Sequence, residues 1–160
     1  MTPSISCSGN GEGAFLQRLG VCLMMDRSSG KRRKIPIAYL LDTWVWIEYF
    51  EGRSQEARQY IEGGEDLCIS AITVAEVSQK YASYGIGKVE NCISDMLRRS
   101  PLIPVDRRIA TLAGMLRHRE IHGGMADAII LATARLGHHV IVTGEQHFQD
   151  VPDVVFIRHT

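Results

Sequence analysis

The chain has 160 residues, enough for one domain of ordinary size that buries a core without staples. Its 18 basic and 18 acidic residues cancel to a formal net charge of +0, so no global field draws in nucleic acid and any such binding must use local patches. The widely spaced cysteines (Cys7, Cys22, Cys68, Cys92) form neither a C-x-x-C pair nor a zinc spacing, and no apolar run is long enough to cross a bilayer.

Residues 1–35 read as a disordered N-terminal extension. They are rich in Ser and Gly, and a possible short helix at Phe15–Met25 is interrupted by Gly20. The basic run Lys31-Arg-Arg-Lys34 is a solvated tail or an RNA-contacting arm, and Met24 or Met25 is an alternative start. That basic cluster follows the apolar stretch Val21–Met25 instead of preceding it, so a signal-peptide pattern is missing. Cys68 and Cys92 sit in apolar patterns, as expected of buried, reduced thiols in a cytoplasmic protein.

Residues 36–158 carry the ordered pattern. Ile37–Leu41 is continuously apolar, as in a strand covered on both faces, and it ends at Asp42-Thr43. A helix is expected over Trp44–Phe50, then a second one capped by Ser54 and stopped at Gly63-Gly64. Leu67–Ile69 is a short strand, and Ser70 or Thr73 opens the next helix, which ends near Gly85. Val89, Ile93, Met96 and Leu97 share one face of a helix over Gly87–Arg99. A strand over Leu102–Val105 follows, then a helix capped by Asp106. Past Gly123-Gly124 comes an Ala-rich helix, Met125–Leu136, closed by Gly137. His139–Val142 and Val154–Ile157 are the last strands. Strands alternating with helices predict a three-layer α/β/α sandwich on a mostly parallel sheet.

In such sheets ligands bind beyond the carboxyl ends of the strands. Asp42 and Glu145 each follow a strand, and Glu76 and Asp127 each fall early in a helix, so the four acids are placed to converge. An all-oxygen set suits a hard cation such as Mg²⁺, which takes one or two carboxylates directly and keeps several waters. Without a cation the acids repel: two carboxylates ~4 Å apart cost on the order of 4 kcal/mol at an effective dielectric of about 20. Each acid also has a structural alternative. Asp42 fits an N-cap, Glu76 completes the capping box Thr73-Val-Ala-Glu76, Asp127 suits a helix dipole, and Glu145 suits a surface loop.

As an ordered set, Ile37–Thr43, Ser70-Ala-Ile-Thr-Val-Ala-Glu76, Met125-Ala-Asp127-Ala-Ile-Ile-Leu-Ala-Thr-Ala and Val140-Ile-Val-Thr143-Gly-Glu145-Gln-His-Phe148 resemble the PIN-domain family, in particular its VapC-type toxins. The resemblance implies a Mg²⁺- or Mn²⁺-dependent endoribonuclease that hydrolyses RNA with metal-activated water, leaving a 5′-phosphate and a 3′-hydroxyl. It makes Asp42, Glu76 and Asp127 the first three acids of the site. Glu145 stands where the family most often has Asp, with Asp150 a weaker substitute. Thr43 and Thr143 match supporting hydroxyls. A cognate antitoxin and a homodimer are implied in the same way.

Arg98-Arg99, Arg107-Arg108 and Arg117/Arg119 are candidate RNA contacts, with ordinary helix surfaces as the alternative. His118 and His122 have metal-like i,i+4 spacing but no third ligand, and His147 reads as a loop residue. Trp44 and Trp46 serve packing, with base stacking open to them near Asp42. Two other functions compete with the toxin reading. One is RNA processing or decay without an antitoxin. The other is a binding or scaffold role in which the acids only cap helices.

Overall fold

The computed structural model describes residues 38–158. The expectations for residues 1–35, and for Cys7 and Cys22, lie outside the described residues.

Strand β1 (Tyr39–Leu41) leads through Asp42 into α1 (Thr43–Phe50) and α2 (Gln55–Glu62). Strand β2 (Leu67–Ser70) runs directly into α3 (Ala71–Tyr81). A 3₁₀ turn over Ala82–Tyr84 separates α3 from α4 (Ile86–Arg99), which precedes β3 (Leu102–Ile103). Helices α5 (Arg107–Arg119) and α6 (Met125–Gly137) follow without an intervening strand. Strand β4 (Val140–Thr143), a 3₁₀ turn over Gln146–Phe148 and β5 (Val154–Phe156) complete the order.

Local chemistry sets most boundaries. The Ser54 hydroxyl accepts from Ala57 N at 3.1 Å and starts α2, and Asp106 accepts from Ile109 N at 2.8 Å and starts α5. Beyond α2, Gly64 takes φ 84, a left-handed turn that a residue with a Cβ resists.

The five strands lie in the order β3-β2-β1-β4-β5, and every pairing is parallel. Leu40 stands opposite Cys68 and Ile141 in this register. Those three share one face, because side chains alternate along a strand, and they pack with Leu112, Leu116, Ala128 and Leu131 of α5 and α6. Leu41, Leu67, Ile69 and Val142 point the other way, onto Val45, Trp46, Ile61, Val77 and Met96 of α1 to α4. The result is the expected three-layer α/β/α sandwich, with a sheet that is wholly rather than mostly parallel. Cys68 and Cys92 are buried free thiols, as expected, and burial alone pushes the Cys68 thiol up to about 12.

Several boundaries differ from the expectation. Strand β3 stops at Ile103 instead of Val105. Its partner Ser70 is the last residue of β2 before α3 begins, and Pro104 has no N–H to extend a ladder. Helix α6 includes Gly137 and ends at His138, which itself adopts the left-handed conformation at φ 54. Of the two expected starts for α3, Ser70 holds: it is the N-cap, and Thr73 lies inside the helix.

Candidate active site

The chain proceeds from β1 to β2 and β3 on one side, then returns to place β4 and β5 on the other. The switch point lies between β1 and β4, where the carboxyl ends of two neighbouring strands diverge into a crevice. Asp42 follows β1 and Thr143 ends β4, so the topology sets both at this crevice.

Asp42 is 2% exposed. Its Oδ1 accepts from Thr43 N at 2.6 Å, which caps α1, and its Oδ2 accepts from the Thr143 hydroxyl at 2.6 Å. The Thr143 hydroxyl in turn accepts from Glu145 N at 2.9 Å. Both carboxylate oxygens are therefore fixed from opposite sides of the switch point. Burial pushes the carboxyl up to about 7; the Thr143 and Thr43 hydrogen bonds oppose this, and the charges of Asp127 and Glu76 add to it.

Glu76 lies in the second turn of α3, too far along the helix to reach its N-cap, Ser70. The capping box expected for Thr73 and Glu76 is therefore not formed. Instead Glu76 Oε2 accepts from the Thr43 hydroxyl at 2.5 Å, which ties α3 to the start of α1. Partial burial raises the Glu76 carboxyl, the Thr43 bond opposes this, and Asp127 and Glu145 push in the same direction as burial.

Asp127 does behave as a capping residue. Its Oδ2 accepts from Gly124 N at 2.6 Å, and its carboxylate folds so closely over Gly123 that a Cβ there would collide with it. That explains the glycine pair before α6. His147 Nδ1 approaches the same oxygen at 3.5 Å, and Asp127 retains 19% side-chain exposure. Asp127 thus faces the crevice partly open, while Asp42 forms its closed end.

The four acids form one electrostatic neighbourhood: Asp42 feels Asp127 and Glu76, and Glu76 feels Asp127 and Glu145. They are not drawn into a tight cage. Among the described residues no three His, Cys, Asp or Glu side chains meet at metal-ligand distances. The donor chemistry still suits a hard cation, since Mg²⁺ takes few direct carboxylates and completes its shell with water. His118 and His122 are both exposed and belong to no such group.

The arginine candidates separate. Arg98 pairs with Asp95, and the Arg99 guanidinium lies over the Tyr49 ring at 5.6 Å, against the last turn of α1. Arg107 and Arg108 are exposed in the first turn of α5, just beyond the carboxyl end of β3. Arg117 donates to Ile121 O at 3.3 Å.

One buried acid is not singled out by the sequence motifs. Glu48 is 1% exposed on α1, and its carboxylate takes Arg53 Nε at 3.1 Å and Nη2 at 2.5 Å. A signal for it exists: it is the only charge within Trp44–Phe50. A cation already compensates it, so it stands apart from the four acids.

The chain matches the family model for the PIN domain over residues 39–154. No curated protein matches it. Among solved structures, a toxin–antitoxin complex from Klebsiella pneumoniae is 32% identical with a TM-score of 0.66, over 77% of this chain and 100% of that one. FitAcB from Neisseria gonorrhoeae is 25% identical with a TM-score of 0.56, over 75% and 96%. Mycobacterium tuberculosis VapC20, a sarcin-ricin loop cleaving toxin, shares the fold at 15% identity, with a TM-score of 0.60 over 76% and 99%. The parallel sheet, the acids beside its switch point and a family match spanning nearly every strand and helix lead to one conclusion: this chain belongs to the PIN-domain family.

Proposed function

We propose that the chain is a Mg²⁺- or Mn²⁺-dependent endoribonuclease and the toxin of a type II toxin–antitoxin pair. The observation that carries the nuclease reading is Asp42. A buried carboxyl, held at both oxygens and acted on by the charges of Asp127 and Glu76, is a costly arrangement that a divalent cation relieves. The toxin reading rests on the neighbours, one of which is a toxin–antitoxin complex at 32% identity. A groove lined by acids also suits a basic segment of an antitoxin, and the RNA substrate and a homodimer belong to the same reading.

Asp42 and Asp127 would hold the cation directly, with Glu76 and Glu145 acting through water. A divalent ion there supplies Lewis-acid polarisation of the phosphoryl oxygens and activation of water. The chain's own residues do the positioning. Thr143 and Thr43 N fix the Asp42 carboxylate so that it does not rotate away from the crevice. Thr43 also holds Glu76, so one residue orients two acids. Burial and the charges of Asp127 and Glu145 raise the Glu76 carboxyl, and the Thr43 hydrogen bond opposes them.

The scaffold alternative draws on the caps that Asp42 and Asp127 do form. It leaves unexplained why Glu76 turns away from capping toward the crevice. The test is single-turnover cleavage of single-stranded RNA by purified Asp42→Asn and Asp127→Asn proteins. Each variant should lose roughly 10²-fold or more in rate, the scale of removing one charge-stabilising group. Undiminished cleavage by either one overturns the assignment.

A further inference from the structure

The loop after β4 is held by more than its own hydrogen bonds. A Cβ added at Gly144 would lie 2.7 Å from Trp44 Cη2, 2.7 Å from Cζ2 and 2.8 Å from Cε2. These are three consecutive ring atoms, and near-equal distances to all three put that point over the ring face, not beyond its edge. The indole therefore lies flat on the backbone of Gly144. Trp44 is on the first turn of α1, two residues after Asp42, and Gly144 links Thr143 to Glu145. The contact crosses the β1/β4 switch point, parallel to the Thr143–Asp42 hydrogen bond. Gly144 has no positive φ, so its missing side chain answers to the ring and not to its backbone conformation.

We propose that Trp44 is a positioning residue: its indole clamps the Thr143-Gly144-Glu145 turn, and through Thr143 it fixes the Asp42 carboxylate. The inference rests on the reading of Asp42 as the central acid of the nuclease site. Physically, the turn has one short 3₁₀ segment after it, and the Glu145 N to Thr143 hydroxyl bond defines its shape locally. A rigid ring on Gly144 removes the remaining freedom. With the ring gone, the Thr143 hydroxyl can swing between Asp42 and other partners, and Glu145 is no longer held at the rim. The reciprocal constraint falls on Gly144, where a methyl displaces the indole and with it the first turn of α1.

The test uses the full chain carrying Trp44→Ala, Trp44→Phe, Gly144→Ala and the double change Trp44→Ala/Gly144→Ala. Two readouts are followed beside thermal melting: hydrogen exchange of the Glu145 amide, and Mn²⁺ affinity with kcat and KM on single-stranded RNA. Trp44→Ala should speed Glu145 exchange about tenfold and lower kcat on the order of tenfold with KM little changed, the scale of a small misplacement of catalytic groups. Trp44→Phe should restore only part of both, since its ring is shorter than the benzo ring that meets Gly144. Gly144→Ala should be harmful while the indole is present and nearly silent in the Trp44→Ala background, which a general loss of stability would not produce. The proposal is overturned if Trp44→Ala leaves Glu145 exchange and kcat within about twofold of the parent, or if the two changes simply add. If the parent neither binds Mn²⁺ nor cuts RNA, the nuclease reading fails. The exchange data then still decide whether the clamp exists.

Discussion

At the residue scale, Asp42 is legible as an acid at a strand end, and its two duties are not. Sequence alone offers a cap or a ligand as alternatives, whereas the carboxylate caps α1 through one oxygen and reaches Thr143 through the other. Glu76 goes the opposite way for a simple reason. The motif Thr73-x-x-Glu76 resembles a capping box only if the helix begins at Thr73, and β2 passes into α3 at Ser70-Ala71 instead. Ser70 and Thr73 are both legible as starts in the sequence, and only the end of the preceding strand selects Ser70. The raised Asp42 pKa has a sign that can be checked. Its folded value of about 7 lies above the ordinary 3.8, so its contribution favours the folded state below about pH 4 and fades as pH rises through about 7. Metal-free protein should therefore lose on the order of a few kcal/mol between about pH 4 and pH 8 from this group. Asp42→Asn should flatten that slope and melt above the parent at about pH 8. Denaturation of both proteins across this range checks it, and equal slopes would refute the assignment.

At the element scale, periodicity and caps locate every helix of the described region, and the parallel alternation gives the layers. Strand ends are harder to place. The run Leu102–Val105 contains Pro104, which cannot donate to a ladder, and pairing stops there as the partner strand turns into a helix. The turn between α1 and α2 carries its own stabilising device, the buried Glu48 with Arg53. Arg53 is 49% exposed on its side chain, so solvent screens part of the attraction. Arg53→Met should destabilise the fold measurably in urea unfolding, and by less than the breaking of a fully buried pair. The basic candidates also divide by element. Arg98 is exposed but paired with Asp95 on its own helix and Arg99 lies over Tyr49, while Arg107 and Arg108 open α5 and are exposed. Arg107→Ala/Arg108→Ala should weaken RNA binding and reduce its salt slope by about one for each phosphate no longer bound, whereas Arg98→Ala/Arg99→Ala should leave that slope unchanged. Filter binding from low to moderate salt distinguishes the pairs.

At the scale of the whole molecule, a formally neutral chain gathers four acids beside one edge of its sheet. The order β3-β2-β1-β4-β5 does this by bringing together residues far apart in the chain, as the hydrogen bond between Asp42 and Thr143 demonstrates. That long-range pairing is inferable from the strand order but not measurable from it, and how tightly the acids close is not legible at all. The acids stand near each other without forming a cage, which fits a site that a cation and its waters complete. Such a site ties metal binding to global stability. Mn²⁺ at about 100 times its Kd should stabilise the fold by roughly 2.7 kcal/mol, a rise of several degrees in Tm for a domain of this size. Because Asp42 must release its proton to bind, the rise should be larger at about pH 8 than at about pH 6. A chelator should reverse it, and Asp42→Asn should abolish it. Melting curves with and without Mn²⁺ at the two pH values measure this directly. An equal rise at both, or one that survives Asp42→Asn, would place the cation elsewhere and return the four acids to a structural role.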